Sequence, residues 1–405
     1  MAHAQPRTDP LEWLAARDEY PKVLVHDLGT GDFLAGAGAA DFLGVAQPTT
    51  TAVLEARLAE RVGDLPTGHP GWVGGVRFAP ERASRPSWSS FGAGWWVLPE
   101  HWLSSTAGVL CVGYRARSVE VPSHAAALEP DEPRETYLER VRAALEELGS
   151  TALEKVVLAR SARREGRVDV VATLTKLSQL ERRGTVYWLA PTAHEGFFGV
   201  TPETLYRRTG TAVRAEALAG TVGRAARPAA DGRCATELAN DAKSGREHAF
   251  VRDAIVAALE PLSASLSRPD APSVRSLARV HHLFTPIECR LREPRMLLAH
   301  LHPTPAVCGT PYALAEAAIA RLESVDRGFY AGAIGWWRRD GEAVYVALRG
   351  ARYVGDAASV LVGAGIVEGS VPELELAELD AKAAALIDCW TASRPSAQQR
   401  PTSER

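Results

Sequence analysis

The stretch Gly363-Ala-Gly-Ile-Val-Glu-Gly-Ser-Val-Pro-Glu-Leu-Glu-Leu-Ala-Glu-Leu-Asp-Ala-Lys382 decides how this chain is read, as a glycine-rich strand end that turns into an acidic helix. Ser370 suits the N-cap of that helix, Glu373 suits the returning bond of a capping box, and Pro372 supplies a preset φ in the first turn. Glu375, Glu378 and Lys382 then stand at i, i+3 and i+7, which places all three on one face close to the glycines. By itself such a face also suits a solvated helix surface. The rest of the chain has to decide between the two.

With 405 residues, 46% hydrophobic and 23% charged, the composition is that of an ordinary globular enzyme. A net charge of -3 gives no electrostatic reason to expect nucleic acid or a membrane surface as partner. The first residues contain no apolar signal core, and no apolar run reaches the roughly 18 residues of a spanning helix, so a cytoplasmic protein is expected; a monomer is the separate expectation for its assembly. The five cysteines are scattered and form no CxxC pair. They read as packing thiols rather than as a zinc or disulfide framework.

Before about residue 115 the chain reads as short strands separated by turns, including Val23–Leu28, Trp72–Phe78 and Gly94–Leu98, with an amphipathic helix from Thr50 to Val62. The tryptophans there are expected to fill core, and the segment offers no catalytic pattern. A helix carrying Tyr137, Val141, Ala144 and Leu148 at helical spacing leads to the strand Lys155–Arg160. A helix reaching Arg182 comes next, and then strands at Thr185–Ala190, Gly196–Thr201 and Leu205–Arg208. One long helix is expected from about Thr236 to Leu262, with Glu247, Val251 and Ile255 in line. A second, from Ala313 to Val325, precedes strands at Tyr330–Trp337, Ala343–Ala351 and Ser359–Gly363. No internal repeat or linker is visible.

The expected fold class is α/β of the α+β type: one large layered domain of antiparallel sheets with helices packed on them. It spans residues 21–390 and is most recognisable over 137–386, between an N-terminal extension (1–20) and a polar tail (391–405) expected to be disordered.

Two separate helices carry acidic groups, Glu247-His248 on one and Glu375, Glu378 with Lys382 on the other. Carboxylates from distant elements, without cysteine or clustered histidine, are what a hard dication such as Mg²⁺ accepts. Leu218-Ala-Gly-Thr221 and Gly363-Ala-Gly365 could bring backbone N–H groups against an anion, and Arg349, expected on a strand, could grip a carboxylate with two bonds. Lys155 and Glu203 carry no message alone.

Taken together, the motifs resemble the chorismate-utilising enzymes. They are Phe198-Gly-Val-Thr-Pro-Glu203, Leu218-Ala-Gly-Thr-Val-Gly-Arg224, Asp241-Ala-Lys-Ser-Gly-Arg-Glu-His248, Leu301-His-Pro-Thr-Pro-Ala-Val-Cys-Gly309, Arg327-Gly-Phe-Tyr-Ala-Gly332, Ala347-Leu-Arg349 and the opening stretch. They occur in the family's order from about Lys155 to Lys382. Lys155 and the His-Pro-Thr-Pro-Ala-Val form resemble the isochorismate synthase branch.

The resemblance implies Lys155 as the base that activates water and Glu203 as the acid that protonates the departing hydroxyl. It implies Glu247 and Glu378 as ligands of Mg²⁺, with Glu375 in support and Lys382 beside them. Tyr330, Arg349 and the backbone around Gly363 and Gly365 would receive the enolpyruvyl carboxylate of chorismate, while Thr221 and His282 line the site. A salicylate synthase and a non-catalytic relative remain open. So does the downstream pathway, whether a catechol siderophore, menaquinone or a salicylate-derived product. Two departures stand out: Lys243-Ser244 where many members carry Lys-Asp, and Thr285-Pro-Ile-Glu where a simpler strand is expected.

Overall fold

The computed structural model describes residues 9–65, 69–106, 109–115, 118–124 and 127–393. The chain opens with α1 (Pro10–Ala15), β1 (Lys22–Asp27), β2 (Phe33–Val45), α2 (Thr51–Gly63), β3 (Trp72–Val76), β4 (Gly94–Thr106) and β5 (Val109–Tyr114). Next come α3 (Arg134–Ser150), β6 (Lys155–Glu165), α4 (Val170–Leu180), β7 (Thr185–Thr192), β8 (Glu195–Thr201), β9 (Thr204–Thr209) and β10 (Ala212–Gly223). The middle of the chain continues with α5 (Pro228–Asn240), α6 (Ala242–Leu259), β11 (Ser263–Ser267), β12 (Ser273–Ser276), β13 (Val280–Leu291), α7 (Leu298–Leu301), β14 (Gly309–Thr310) and α8 (Tyr312–Leu322). The last run is β15 (Ala333–Trp337), β16 (Gly341–Val346), β17 (Gly350–Val354), β18 (Ala357–Val367) and α9 (Pro372–Cys389).

The strands pair antiparallel along one continuous path, β6–β18–β17–β8–β7–β1–β2–β4–β3–β15–β16–β9–β10–β13. Helices pack on it: α6 lies on β10 and β13, and α9 on β18. The fold is thus a single α+β domain built on a large antiparallel sheet, and strands from the two ends of that path meet at one pocket. Apolar burial holds it together. Trp72, Trp88, Trp95 and Trp96 are fully buried, as expected of the tryptophans before residue 115, and so is Trp337 on β15. Each removes apolar surface worth about 25 cal/mol per Å² from water. Leu11 and Leu14 of α1 join the same core. Among the described residues no helix is long and apolar enough to cross a membrane. The tail expected from 391 lies outside the described residues from 394 on, while Thr391 and Ser393 are still hydrogen-bonded to the body through their backbone N–H groups.

Several expected elements divide differently. The long helix splits in two because Asp241 is extended (φ -77°, ψ 117°) and its side chain accepts from the Ser244 N–H at 2.8 Å, an N-cap that starts α6 afresh. The strand expected over Ala343–Ala351 breaks at Arg349, whose φ is +52°. Tyr330 sits in the turn before β15 rather than on a strand. Ser370 does not cap α9, because its hydroxyl accepts from the Val367 N–H at 3.2 Å and closes the preceding turn. Val371 takes the cap position without a side-chain bond, and Glu373 turns outward to Arg142 at 3.3 Å. Around Thr285, by contrast, β13 runs unbroken, with Pro286 opposite Glu216. The irregularity lies in β10 between Ala219 and Thr221, where Gly220 has φ +76°.

Candidate active site

The pocket forms where β6 and β18 meet β10, β13 and the turns after β8, α8 and β16. Its walls include Glu203, Thr221, Glu247, His282, Tyr330, Arg349, Gly363, Gly365 and Lys382, so nine residues singled out in the sequence converge on one cavity. Lys155 is fully buried just behind the wall at Gly365. A methyl group on Gly365 would lie 2.6 Å from Glu247 Oε1 and 2.9 Å from Lys155 Cε. One on Gly363 would lie 3.0 Å from the Tyr330 hydroxyl. Both glycines are therefore places where a missing side chain leaves room for a functional group. The Gly363 carbonyl is also engaged, accepting from Lys382 Nζ at 2.9 Å.

One side of the pocket is ionic: Glu247 and Lys382 stand in its wall, while Lys155, Lys243, Glu375 and Glu378 lie outside the lining. Lys155 Nζ pairs with Glu247 at 2.9 Å, Lys382 with Glu378 at 2.5 Å, and Lys243 with Glu375 at 2.9 Å. Lys243 and Glu247 come from successive turns of α6, and Glu375, Glu378 and Lys382 share the facing stripe of α9, as their spacing requires. Burial alone would raise the Glu247 carboxyl, but the ammonium groups of Lys155, Lys382 and Lys243 outweigh it and hold Glu247 below its ordinary range. Glu378 is pushed up by burial, and repulsion from Glu247 and Glu375 adds to the effect of burial against the pull of Lys382.

Carboxylates that repel one another in an enclosed space suit a hard dication by donor type. Among the described residues no three His, Cys, Asp or Glu side chains gather closely enough to form a ready-made metal cage.

The other side is buried and held by backbone. Glu203 comes just after β8, with its N–H bonded to Thr201 Oγ1 at 3.2 Å and its carbonyl accepting from Val346 N at 3.1 Å. Burial pushes its carboxyl up to about 8, against the pull of Lys155, Lys382 and Arg349, so it is protonated at neutral pH. Arg349 at φ +52° and Ala331 at φ +60° are left-handed non-glycine residues in the wall. The Ala331 N–H to Ala347 carbonyl bond (2.9 Å) and the Ala347 N–H to Gly332 carbonyl bond (2.8 Å) lock those two bends together. The Tyr330 phenol is raised by burial and stays neutral. His282 is held well below its usual range by burial and by the positive charge of Arg349 and Lys382. Its Nδ1 lies 3.0 Å from Thr221 Oγ1, and among the described residues its buried Nε2 has no hydrogen-bond partner.

Two contributors went unassigned in the sequence. Lys243, part of the Lys-Ser departure from the motif, stands one turn before Glu247 and pairs with Glu375. Arg327 opens a quoted motif without a role. It is fully buried and paired with Glu323 at 2.5 Å, and it donates to the carbonyls of Val307 (2.7 Å) and Val157 (2.6 Å), which ties together two strips of pocket wall. An arginine beside the motif's Gly-Phe-Tyr was the available signal.

Comparison with known proteins agrees with this geometry. The family model described as "Chorismate binding enzyme" matches residues 114–390. The isochorismate synthase DhbC of Bacillus subtilis (strain 168) is 36% identical over 272 residues, covering 64% of this chain and 68% of that protein. The salicylate biosynthesis isochorismate synthase of Pseudomonas aeruginosa is 38% identical over 244 residues, 59% of this chain and 51% of that protein. This chain thus spans about two thirds of the first relative and about half of the second. The solved structure of MenF, the menaquinone-specific isochorismate synthase from Escherichia coli, superimposes with a TM-score of 0.79 at 26% identity, covering 95% of this chain and 92% of that one. By the family match across most of its length, and with isochorismate synthases as its relatives in sequence and structure, this chain is a member of the chorismate-binding enzyme family.

Proposed function

We propose that this chain is an Mg²⁺-dependent isochorismate synthase that adds water at C2 of chorismate and expels the C4 hydroxyl. The observation that carries the reading is the convergence of the buried Glu203, pushed up to about 8, with Glu247 and Lys382 on one cavity, and Lys155 paired to Glu247 directly behind its wall. The reaction needs a proton removed on one side of the ring and a proton delivered on the other.

In this reading Lys155 takes a proton from water as its oxygen bonds to C2, the ring double bonds shift, and the C4–O bond breaks. Glu203 gives its proton to the departing hydroxyl, which leaves as water. Lys155 Nζ donates to Glu247 as an ammonium in the free protein, so the base role requires that it leave this partner and give up a proton, reaching the attacking water as the neutral amine. Arg349, the neutral Tyr330 hydroxyl and the backbone around Gly363 and Gly365 receive the enolpyruvyl carboxylate, while Thr221 and His282 line the ring. Glu247 and Glu378, with Glu375 in support, are the residues that would hold Mg²⁺, which supplies charge neutralisation for the ring carboxylate.

Incubation of the purified protein with chorismate and Mg²⁺, then chromatography and a coupled pyruvate assay, tests this. Isochorismate without pyruvate is expected. Stoichiometric pyruvate and salicylate would replace the reading with a salicylate synthase, and no consumption of chorismate at any Mg²⁺ concentration would reject catalysis.

A further inference from the structure

Asp231 lies in the first turn of α5 and lines no part of the pocket, yet its carboxylate gathers donors from separate pieces of chain. Arg224, just past the end of β10, reaches it through Nε at 3.3 and 3.1 Å and through Nη2 at 2.6 Å. The Ala225 N–H reaches it at 3.0 Å and His281 Nε2, on β13, at 2.9 Å. Arg224 in turn donates through Nη1 to the Leu277 carbonyl at 3.0 Å, and through its N–H to that of Arg279 at 3.0 Å. A carboxylate only accepts, so His281 carries its proton on Nε2. Its Nδ1 lies 2.9 Å from the Ser276 hydroxyl at the end of β12. The bonds from Arg224 hold Asp231 far below the usual carboxylate range, so it remains ionised at any working pH.

The position of this node gives it a functional meaning. His281 immediately precedes His282, and Arg224 lies three residues after Thr221. Past the irregularity at Gly220 the β10–β13 ladder has only the pairs Thr221–His282, Val222–His281 and Gly223–Val280. A bulge disrupts the ladder locally and bends the strand, so these three pairs form a short end, gripped from outside by β12 and by the Asp231 carboxylate.

We propose that Asp231 is a positioning residue for the substrate-facing pair Thr221 and His282. Its carboxylate clamps the end of β10 to the β12–β13 hairpin, so that the unpartnered His282 Nε2 points at bound substrate. The inference rests on the pocket being the chorismate site proposed above.

The experiment compares Asp231→Ala and Asp231→Asn with the wild type and with Thr221→Ala, singly and combined, by steady-state kinetics on chorismate. Asp231→Ala should raise KM about tenfold with kcat changed far less, since misplacement of a binding group by a fraction of an ångström has this scale of effect. Asn, which keeps one acceptor, should recover part of the loss. The double variant Asp231→Ala/Thr221→Ala should be little worse than Thr221→Ala alone, because one residue acts through the other. An unchanged KM, an equal fall confined to kcat, or strictly additive effects would each overturn the clamp.

The histidine ring ¹⁵N spectrum gives a readout independent of turnover and uses the isosteric Asp231→Asn. Resonances of both His281 and His282 should move, and movement of His281 alone overturns the proposal. Failure of the wild type to convert chorismate would reject the functional reading, and the spectrum would still decide the clamp.

Discussion

The two sides of the pocket handle buried charge in opposite ways. On the side of α6 and α9, three carboxylates are each matched by a lysine, so the side is balanced charge against charge. On the side of Glu203, Tyr330 and Arg349, groups are fixed by backbone bonds and left-handed turns, and Glu203 solves its burial by keeping a proton. Paired charges can exchange partners when a new ion arrives. An acid kept neutral by desolvation is already in the form its chemistry needs. The first side is therefore suited to receiving ligands and the second to acting on them.

Removing Lys155 from the ionic side should have the largest effect. Lys155→Ala is expected to lower turnover about a hundred- to ten-thousandfold, the range for loss of a general base, while the fold persists; unaltered turnover would remove Lys155 from the reaction.

The pH dependence of Glu203 sharpens the contrast next. Turnover should fall as pH rises through about 8, where the acid loses its proton. The native state binds that proton more tightly than the unfolded chain does. Stability should therefore be full below the ordinary glutamate range and decline as pH climbs towards 8. Glu203→Gln, neutral at every pH, should lose turnover and also lose this decline, as thermal melts across pH will show.

Gly365→Ala places a methyl group against Glu247 and Lys155 together. It is expected to cost about a hundredfold in turnover by misplacing both, with the far side of the pocket undisturbed. Wild-type kinetics would mean the crowded pair can shift freely.

The smallest effect belongs to Lys243→Met. Lys243 is partly exposed but Glu375 is buried, so leaving that carboxylate unpaired should cost roughly 1–3 kcal/mol of stability in denaturant titrations. A much larger loss would show that the pairing of α6 with α9 is more than local.

Most of the site was legible in the sequence because its residues travel in short motifs whose spacing survives folding, such as Glu375, Glu378 and Lys382 on one helical stripe. The strands were legible from their β-branched runs, and Lys155–Arg160 does open β6. What escaped depends on backbone states that apolar pattern does not encode. Arg349 and Ala331 adopt positive φ without being glycine, so a strand break at Arg349 looked like continuous strand. Asp241 resembled any polar residue in a long helix, because an N-cap is recognisable only once the turn beyond it is known. The capping box at Ser370 and Glu373 matched by type, but the hydroxyl served the turn before the helix and Arg142 offered the carboxylate a partner from α3. Partners distant in the chain, Asp231 with His281 or Lys243 with Glu375, leave no local signal at all.

β6 and β18 face each other over eleven paired residues, from Lys155 opposite Val367 to Glu165 opposite Ala357, with Gly365 opposite Val157. Because neighbouring residues of a strand point to opposite sides, deleting a single residue from either strand would turn a methyl-bearing neighbour toward Lys155 and rotate the glycine away. Point substitutions along these strands are therefore graded in their effects, whereas a change of length by one is all or nothing. Natural variation in chain length should accumulate in the connections and stop at the borders of this ladder.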